Sequence, residues 1–326
     1  MNTSRLTSCA IAVLASILSL TMPSQAGKLE KLRVDFATYN PVSLVLKEQG
    51  FLEKEFAADG TTIEWVFSAG SNKAVEGLDQ KTVDFGSTAG SASLLARASG
   101  SPIKVIYAYS RPEWTALVVP ANSPLKSAAD LKGKKIAATK GTEPYIFMLR
   151  ALENSGLSEK DVTVVSVQHA DGRKAMEAGE VDAWAGIDPL MAQAELQTNA
   201  RLLFRDPYLN TYGVLNVRED FLAANPDVIA RVIKAYEQAR EYASQNPDAL
   251  KAVLVKASKI DAAVAARQLE RTDLRKLALG SAQQRTLKAA GEVLQRVGVL
   301  PASVNVEKTV GDMIDGTFTT KLSSAN

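Results

Sequence analysis

Two loops of this chain carry the residue types that can grip a small anion. Ser87-Thr88-Ala89-Gly90, running on to Ser91, and Lys140-Gly141-Thr142-Glu143-Pro144-Tyr145 each join a short apolar run to a helix-forming run. Backbone N–H groups at a helix start point outward unsatisfied and carry part of the helix dipole, so small residues there let an anion approach closely. Gly141 permits a tight turn, and Thr142 can cap its helix while bonding a ligand oxygen. Glu143 would repel an anion unless the ligand also carries a cation, and its other reading is a first-turn acid that complements the helix dipole. A third loop, Trp184 to Pro189, offers Asp188 as a helix cap that could also pair with a ligand ammonium. Organic walls could come from Tyr39 beside its capping neighbour Asn40, from Trp114, from Trp184 and from Tyr212, each set against plain packing. Arg111 could clamp an anion or stay solvated.

Catalysis has little to build on. His169 is the only histidine, so no multi-histidine metal centre is expected and a Ser/His/Asp triad would need this one residue. It stands at a strand end, as a ligand contact or as a satisfied structural histidine. The sequence has no G-x-S-x-G, HExxH, phosphate-loop or dinucleotide motif. No cofactor is expected.

The elements that must position these loops alternate. From Leu32 the order is LRVDFATY, a helix over about 41–56, TTIEWVFS, a helix near 72–80, VDFGS, then IKVIYAYS and WTALVVP. After a break at Pro120 to Pro124 a second series follows: KKIAATK, a helix near 145–155, VTVVSVQH, a helix near 172–178, VDAWAG, a helix from Pro189, RLLF and YGVLNVRED. Val83-Asp84 and Val181-Asp182 occupy matching places in the two series, a strand-turn-helix written twice. Residues 226–300 are helical in period, with Val228, Ile229, Val232, Ile233 and Tyr236 on one face. Asn40-Pro41, Asp188-Pro189, Asn225-Pro226 and Asn246-Pro247 share one helix-start signal.

This order predicts an α/β protein of two lobes, each a mostly parallel sheet flanked by helices, with the ligand beyond the strand ends. A length of 326 residues suits two domains. The expected ranges are 1–26 as a signal peptide, 27–119 as the first lobe, 120–214 as the second, and 215–326 as the return to the first lobe with C-terminal helices. Arg5, the apolar run from Ala10 to Leu20 and Ser24-Gln25-Ala26 predict export with cleavage after Ala26. The single cysteine, Cys9, would leave with that segment, which excludes disulfides and thiolate chemistry in the remainder. Net charge is +2 and charged residues make up 23%, which opposes a nucleic-acid partner and disorder alike.

Residues 129–162, ADLKGKKIAATKGTEPYIFMLRALENSGLSEKDV, with GEVDAWAGIDP at 179–189, GFLEKEF and the VDFGSTAG loop, resemble the periplasmic substrate-binding proteins of aliphatic sulfonate, taurine and nitrate importers. The resemblance covers nearly the whole chain after residue 26. It implies the two-lobed type II periplasmic binding fold, with the ligand in the cleft between lobes. It also implies lobe closure, a monomer in the periplasm, and delivery to an ABC permease driven by its ATPase, with no chemistry by the protein itself. Where sulfonate binders commonly carry serines after the loop glycine, this chain has Thr142-Glu143-Pro144-Tyr145, so Glu143 fits an aminosulfonate such as taurine better than a simple alkanesulfonate. Loops 87–91 and 141–145 would then hold the anionic head while Tyr39, Trp114, Trp184 and Tyr212 line the organic part. The alternatives are an enzyme of the same fold acting on a pyrimidine or cofactor precursor through His169, and a sensory module that reports its ligand to a receptor.

Overall fold

The computed structural model of the protein describes residues 29–319; the expected signal segment, its cleavage point after Ala26, and Cys9 lie outside the described residues. The first series gives β1 (Lys31–Phe36), α1 (Pro41–Glu48), α2 (Phe51–Phe56), β2 (Thr62–Phe67), α3 (Ser71–Asp79), β3 (Phe85–Ala89), α4 (Gly90–Ala98) and β4 (Ile103–Pro112). The single helix expected over 41–56 is two, because Gly50 takes φ 61 and turns the chain between them. The second series gives β5 (Thr115–Val119), β6 (Lys135–Ala138), α5 (Glu143–Asn154), β7 (Thr163–Ser166), α6 (His169–Glu177), β8 (Ala183–Ile187), α7 (Leu190–Thr198) and β9 (Arg201–Phe204). The chain then returns through β10 (Gly213–Arg218), α8 (Glu219–Ala224), α9 (Pro226–Gln245), α10 (Pro247–Ser258), α11 (Ala262–Glu270), β11 (Thr272–Asp273), α12 (Ser281–Arg296) and α13 (Val306–Met313).

Two mixed sheets result, in the orders β11-β4-β10-β3-β1-β2 and β7-β6-β8-β5-β9. In the first, β1 runs parallel to β2 and β3, and β10 runs antiparallel to β3 and β4. In the second, β6 is parallel to β7 and β8, while β5 is antiparallel to β8 and β9. Strand β5 therefore moves the sheet change. The chain leaves the first sheet between Pro112 and Thr115, not at Pro120 to Pro124, and it is back in the first sheet at Gly213. The cause is straight passage: β4 runs on through Glu113-Trp114 into β5 without a turn, so no turn residues mark the crossing, and the prolines merely end β5. All five residues of β5 are buried, as a central strand covered on both faces requires.

Helix α9 lays Ile229, Val232, Ile233 and Tyr236 onto the first sheet beside α1, where Val42, Val45 and Leu46 join the same core. At an apolar transfer value of about 25 cal/mol per Å2 this burial is what holds the long C-terminal arm in place. Asn40 caps α1 by accepting the Ser43 N–H at 3.2 Å, with Pro41 at the first helical position. Asn225 and Asn246 stand at the starts of α9 and α10 but turn backward, each donating to the carbonyl four residues earlier, Phe221 and Tyr242. They close the preceding helix instead of capping the next.

The Val-Asp repeat has one physical role in both sheets. Asp84 donates its N–H to the Arg33 carbonyl at 2.8 Å and accepts the Arg33 N–H on its carboxylate at 2.8 Å. Asp182 does the same to Lys135, at 2.9 and 2.8 Å. Each aspartate thus pins the start of a neighbouring parallel strand, β1 or β6. Asp84 is buried and also pairs with the Arg218 guanidinium at 2.7 Å, whereas Asp182 is half-buried and has no such cation among the described residues.

Candidate functional site

Three helices start at the carboxyl ends of β2, β6 and β7, namely α3, α5 and α6. Their cap residues, Gly70, Thr142 and Gln168, give no side-chain cap bond, so first-turn N–H groups of each are left for another acceptor. The three starts meet across the gap between sheets. A Cβ at Gly70 would fall 2.8 Å from Asn72 Oδ1 and 3.0 Å from His169 Nε2, and one at Gly141 would fall 3.5 Å from the Asn72 Cβ. Gly141, at φ 79, occupies the left-handed region that only glycine adopts freely. Helix starts carry positive dipole ends, so three of them close together suit an anion.

Beside them lies a small apolar cluster of Ala37, Tyr39, Ala89, Trp114 and Ile187, from strand ends of both sheets, with Ala92 of α4. The Tyr39 and Trp114 rings meet edge-on at 6.0 Å. Tyr39 donates its hydroxyl to the Ser87 carbonyl at 2.8 Å, which fixes the ring. Trp114 is 3% exposed and its Nε1–H has no partner among the described residues. The cluster connects to the helix starts through Ser71, whose Oγ accepts the Ala89 N–H at 3.0 Å.

The loop at 87–91 is largely spent internally, with the Ser91 hydroxyl left without a partner among the described residues. Ser87 gives both its N–H and its hydroxyl to the Asp35 carboxylate, at 2.8 and 2.9 Å. Thr88 is bonded to Asn216 and Ser93, the Gly90 N–H goes to the Tyr212 carbonyl at 2.8 Å, and the Ser91 N–H goes to Thr211 Oγ1 at 3.1 Å. Ala89 contributes wall, not donors. Strand β10 takes up this loop, pairing Gly213 with Ala89, and a partner that arrives more than a hundred residues later leaves no local signal. Asp35, absent from the sequence-level candidates, is fully buried, and burial pushes its carboxyl up to about 7 against the opposing bonds from Ser87 and Ser68.

The two acids expected to meet a ligand cation are occupied too. Glu143 is 1% exposed and accepts both the N–H (3.1 Å) and the hydroxyl of Thr211, in the segment that leads back into β10. Burial raises its carboxyl to about 7, with the Thr211 bonds and nearby Arg150 pulling the other way. Asp188 accepts the Ala192 N–H at 2.9 Å, as a helix-start acid should, and faces Arg271 at 3.4 Å; Arg271 also grips Glu195. Burial again dominates and lifts Asp188 to about 7. Both acids tie the second lobe to returning chain. Thr142 spends its proton on the Thr139 carbonyl at 2.6 Å, so its hydroxyl does not donate into the gap.

Of the aromatic candidates, only Tyr39 and Trp114 come together. Trp184 packs in the core of the second sheet with Val118, Ala137 and Met176, under Gly172, where an added Cβ would stand 2.8 Å from its ring. Tyr145 joins the large core and donates to Glu159 at 2.9 Å. Tyr212 sits in that core at the return crossing with Arg111 over its ring at 5.9 Å. A period-two strand and a helix start both put side chains on two faces, and spacing alone does not say which face holds Trp184.

His169 acquires a defined tautomer. Thr139 has one hydroxyl proton and gives it to the Val167 carbonyl at 2.8 Å, so at 3.1 Å from Thr139 Oγ1 the His169 Nδ1 is the donor. Nε2 then carries a lone pair, and it is buried without a partner among the described residues. Burial lowers the imidazole to about 4, so the ring is neutral near pH 7.

The sequence model of a family described as NMT1/THI5 like matches residues 42–250. An Escherichia coli (strain K12) protein named for the binding of aliphatic sulfonates is 32% identical over 218 residues, which span 67% of this chain and 66% of the relative, just under two thirds of its length. The alkanesulfonate-binding protein SsuA from Xanthomonas axonopodis pv. citri, solved bound to MOPS, superposes with a TM-score of 0.80 at 26% identity, covering 88% of this chain and 99% of that one. The periplasmic aliphatic sulphonate binding protein SsuA from Escherichia coli superposes with a TM-score of 0.73 at 26% identity, over 86% of this chain and 91% of its own. The two mixed sheets flanked by helices are thus the fold of the periplasmic binding proteins.

Proposed function

The chain belongs to the NMT1/THI5-like family, and from that premise we propose that it is the extracytoplasmic binding component of an ABC importer for small organic sulfonates. The observation that carries this reading is the meeting of three helix starts without capping side chains at Gly70, Gly141 and His169. A sulfonate stays ionised at any physiological pH, so a site for it needs donors and not a titrating partner. Helix-start N–H groups are such donors, and burial between lobes strengthens each bond by excluding water. The Trp114 Nε1–H adds a further donor, and the Tyr39 and Trp114 ring edges give the organic part an apolar wall. The relatives named above, which are binding proteins by name, support a carrier and not a catalyst. Delivery to a membrane permease and its ATPase, a monomeric state, and periplasmic residence after cleavage at Ala26 complete the proposal.

Titration calorimetry and thermal-shift assays against ethanesulfonate, taurine and nitrate test it, since a ligand that binds only the folded state raises the melting temperature. Binding of sulfonates with no chemical change after long incubation is the expected result. Failure of every sulfonate to bind refutes the reading.

A further inference from the structure

The helix starts of α3 and α6 carry unpartnered acceptor atoms. His169 Nε2, Asn72 Oδ1 and Gln168 Oε1 are all buried and have no partner among the described residues. His169 is 3% exposed, its ring is held by Thr139, and Nε2 and Asn72 Oδ1 both stand within 3.0 Å of the point where a side chain at Gly70 would begin. A lone pair fixed in this way attracts an N–H or O–H, so it suits the uncharged or cationic end of a ligand whose anionic head takes the helix-start N–H groups. Buried acceptors left unmade are costly, so the group that meets them should bring a proton.

Resting on the sulfonate reading above, we propose that His169, with Asn72 beside it, is a subsite for a hydrogen-bond donor on the ligand, so that the preferred sulfonates carry an amine or hydroxyl group. Selection for a zwitterion or a hydroxysulfonate then comes from neutral acceptors and not from Glu143 or Asp188, whose carboxylates are held by Thr211 and by Arg271. A site shaped to accept a hydrogen bond rejects the analogue that lacks the donor more strongly than an apolar wall rejects an added group.

The experiment compares ethanesulfonate, 2-hydroxyethanesulfonate and taurine by calorimetry on the whole protein and on His169→Ala and His169→Gln. The wild type is expected to favour the two donor-bearing ligands over ethanesulfonate by about tenfold or more. His169→Ala should bring that ratio close to one, and His169→Gln, which restores an acceptor, should recover part of it; the ligand-free melting temperature of each variant reports folding. Equal weakening of all three ligands in His169→Ala overturns the proposal, because His169 would then serve only lobe closure. A wild type that binds all three alike also overturns it. A wild type that binds no sulfonate refutes the underlying function, and the subsite falls with it.

Discussion

Replacing Glu143 with glutamine separates a structural acid from a ligand-binding one. In the fold its carboxyl sits at about 7 because burial outweighs the Thr211 bonds, while its ordinary value is 4.5. The folded protein therefore holds this proton more tightly than the unfolded chain does. Stability from this group is greatest below pH 4.5, falls as pH rises through the window up to about 7, and is level beyond it. The two carboxyl positions correspond to a loss of about 3 kcal/mol across that window. A glutamine side chain cannot ionise, so urea unfolding of Glu143→Gln between about pH 5 and about pH 8 should fall less steeply than the wild type, by roughly that amount less the part already spent at the lower limit. Asp35 and Asp188, also raised to about 7, remain in both proteins and cancel in the comparison. At low pH the amide should be close to the protonated acid in stability, since it keeps one acceptor and one donor in place. Parallel pH profiles for the two proteins would refute the reasoning. The ratio of taurine to ethanesulfonate affinity should not respond to this change, and a selective loss of taurine would return Glu143 to the ligand.

Three further outcomes follow from the geometry. Trp114→Phe keeps the ring beside Tyr39 and removes the unpartnered Nε1–H, so sulfonate binding should weaken by about 2 kcal/mol, roughly thirtyfold, in calorimetry; an unchanged affinity removes the indole from the site. Gly70→Ala places a Cβ against His169 and Asn72, which should hinder closure by about 1–3 kcal/mol for every ligand alike; small-angle scattering that shows full ligand-induced compaction would count against it. Asp84→Asn breaks a buried pair with Arg218 and should cost about 3 kcal/mol or more, while Asp182→Asn should cost about 1 kcal/mol, both read by urea unfolding; equal costs would mean that Arg218 adds nothing.

The alternation of strand and helix is legible because each element is bounded by its own residues: Asn40-Pro41 starts α1, and the period-two run at Lys31–Phe36 and the mostly apolar run at Gly213–Arg218 mark strands. The sheet to which a strand belongs is less legible. Nothing in Thr115–Val119 distinguishes a partner at Ser110 from one at Ile187, and the crossing at Glu113-Trp114 lacks turn residues. Loop 141–145 is readable as a helix start, and Tyr39 and Trp114 as aromatics at strand ends, since small residues and aromatics there are local signals. Glu143 and Ser87 are not readable in their roles, because Thr211 and Asp35 reach them from 68 and 52 residues away. Gly70, Asn72 and His169 obey the same strand-end rule as the loops that stand out. His169 stands out as the single histidine at a strand end, whereas Gly70 and Asn72 do not, because a Gly-Ser-Asn turn carries no aromatic or charged residue.

Strand β10 sits between β3 and β4 at the middle of the first sheet, yet it is made after the whole of the second. The order of synthesis and the order of assembly are therefore reversed. Residues 115–204 supply all five strands of the second sheet without a break and can complete it as soon as they emerge. The first sheet, begun earlier, stays in two pieces until Gly213–Arg218 arrives to join them. A chain stopped just short of that strand leaves two unpaired edges, those of β3 and β4, open to other chains, so it should aggregate more than the full chain.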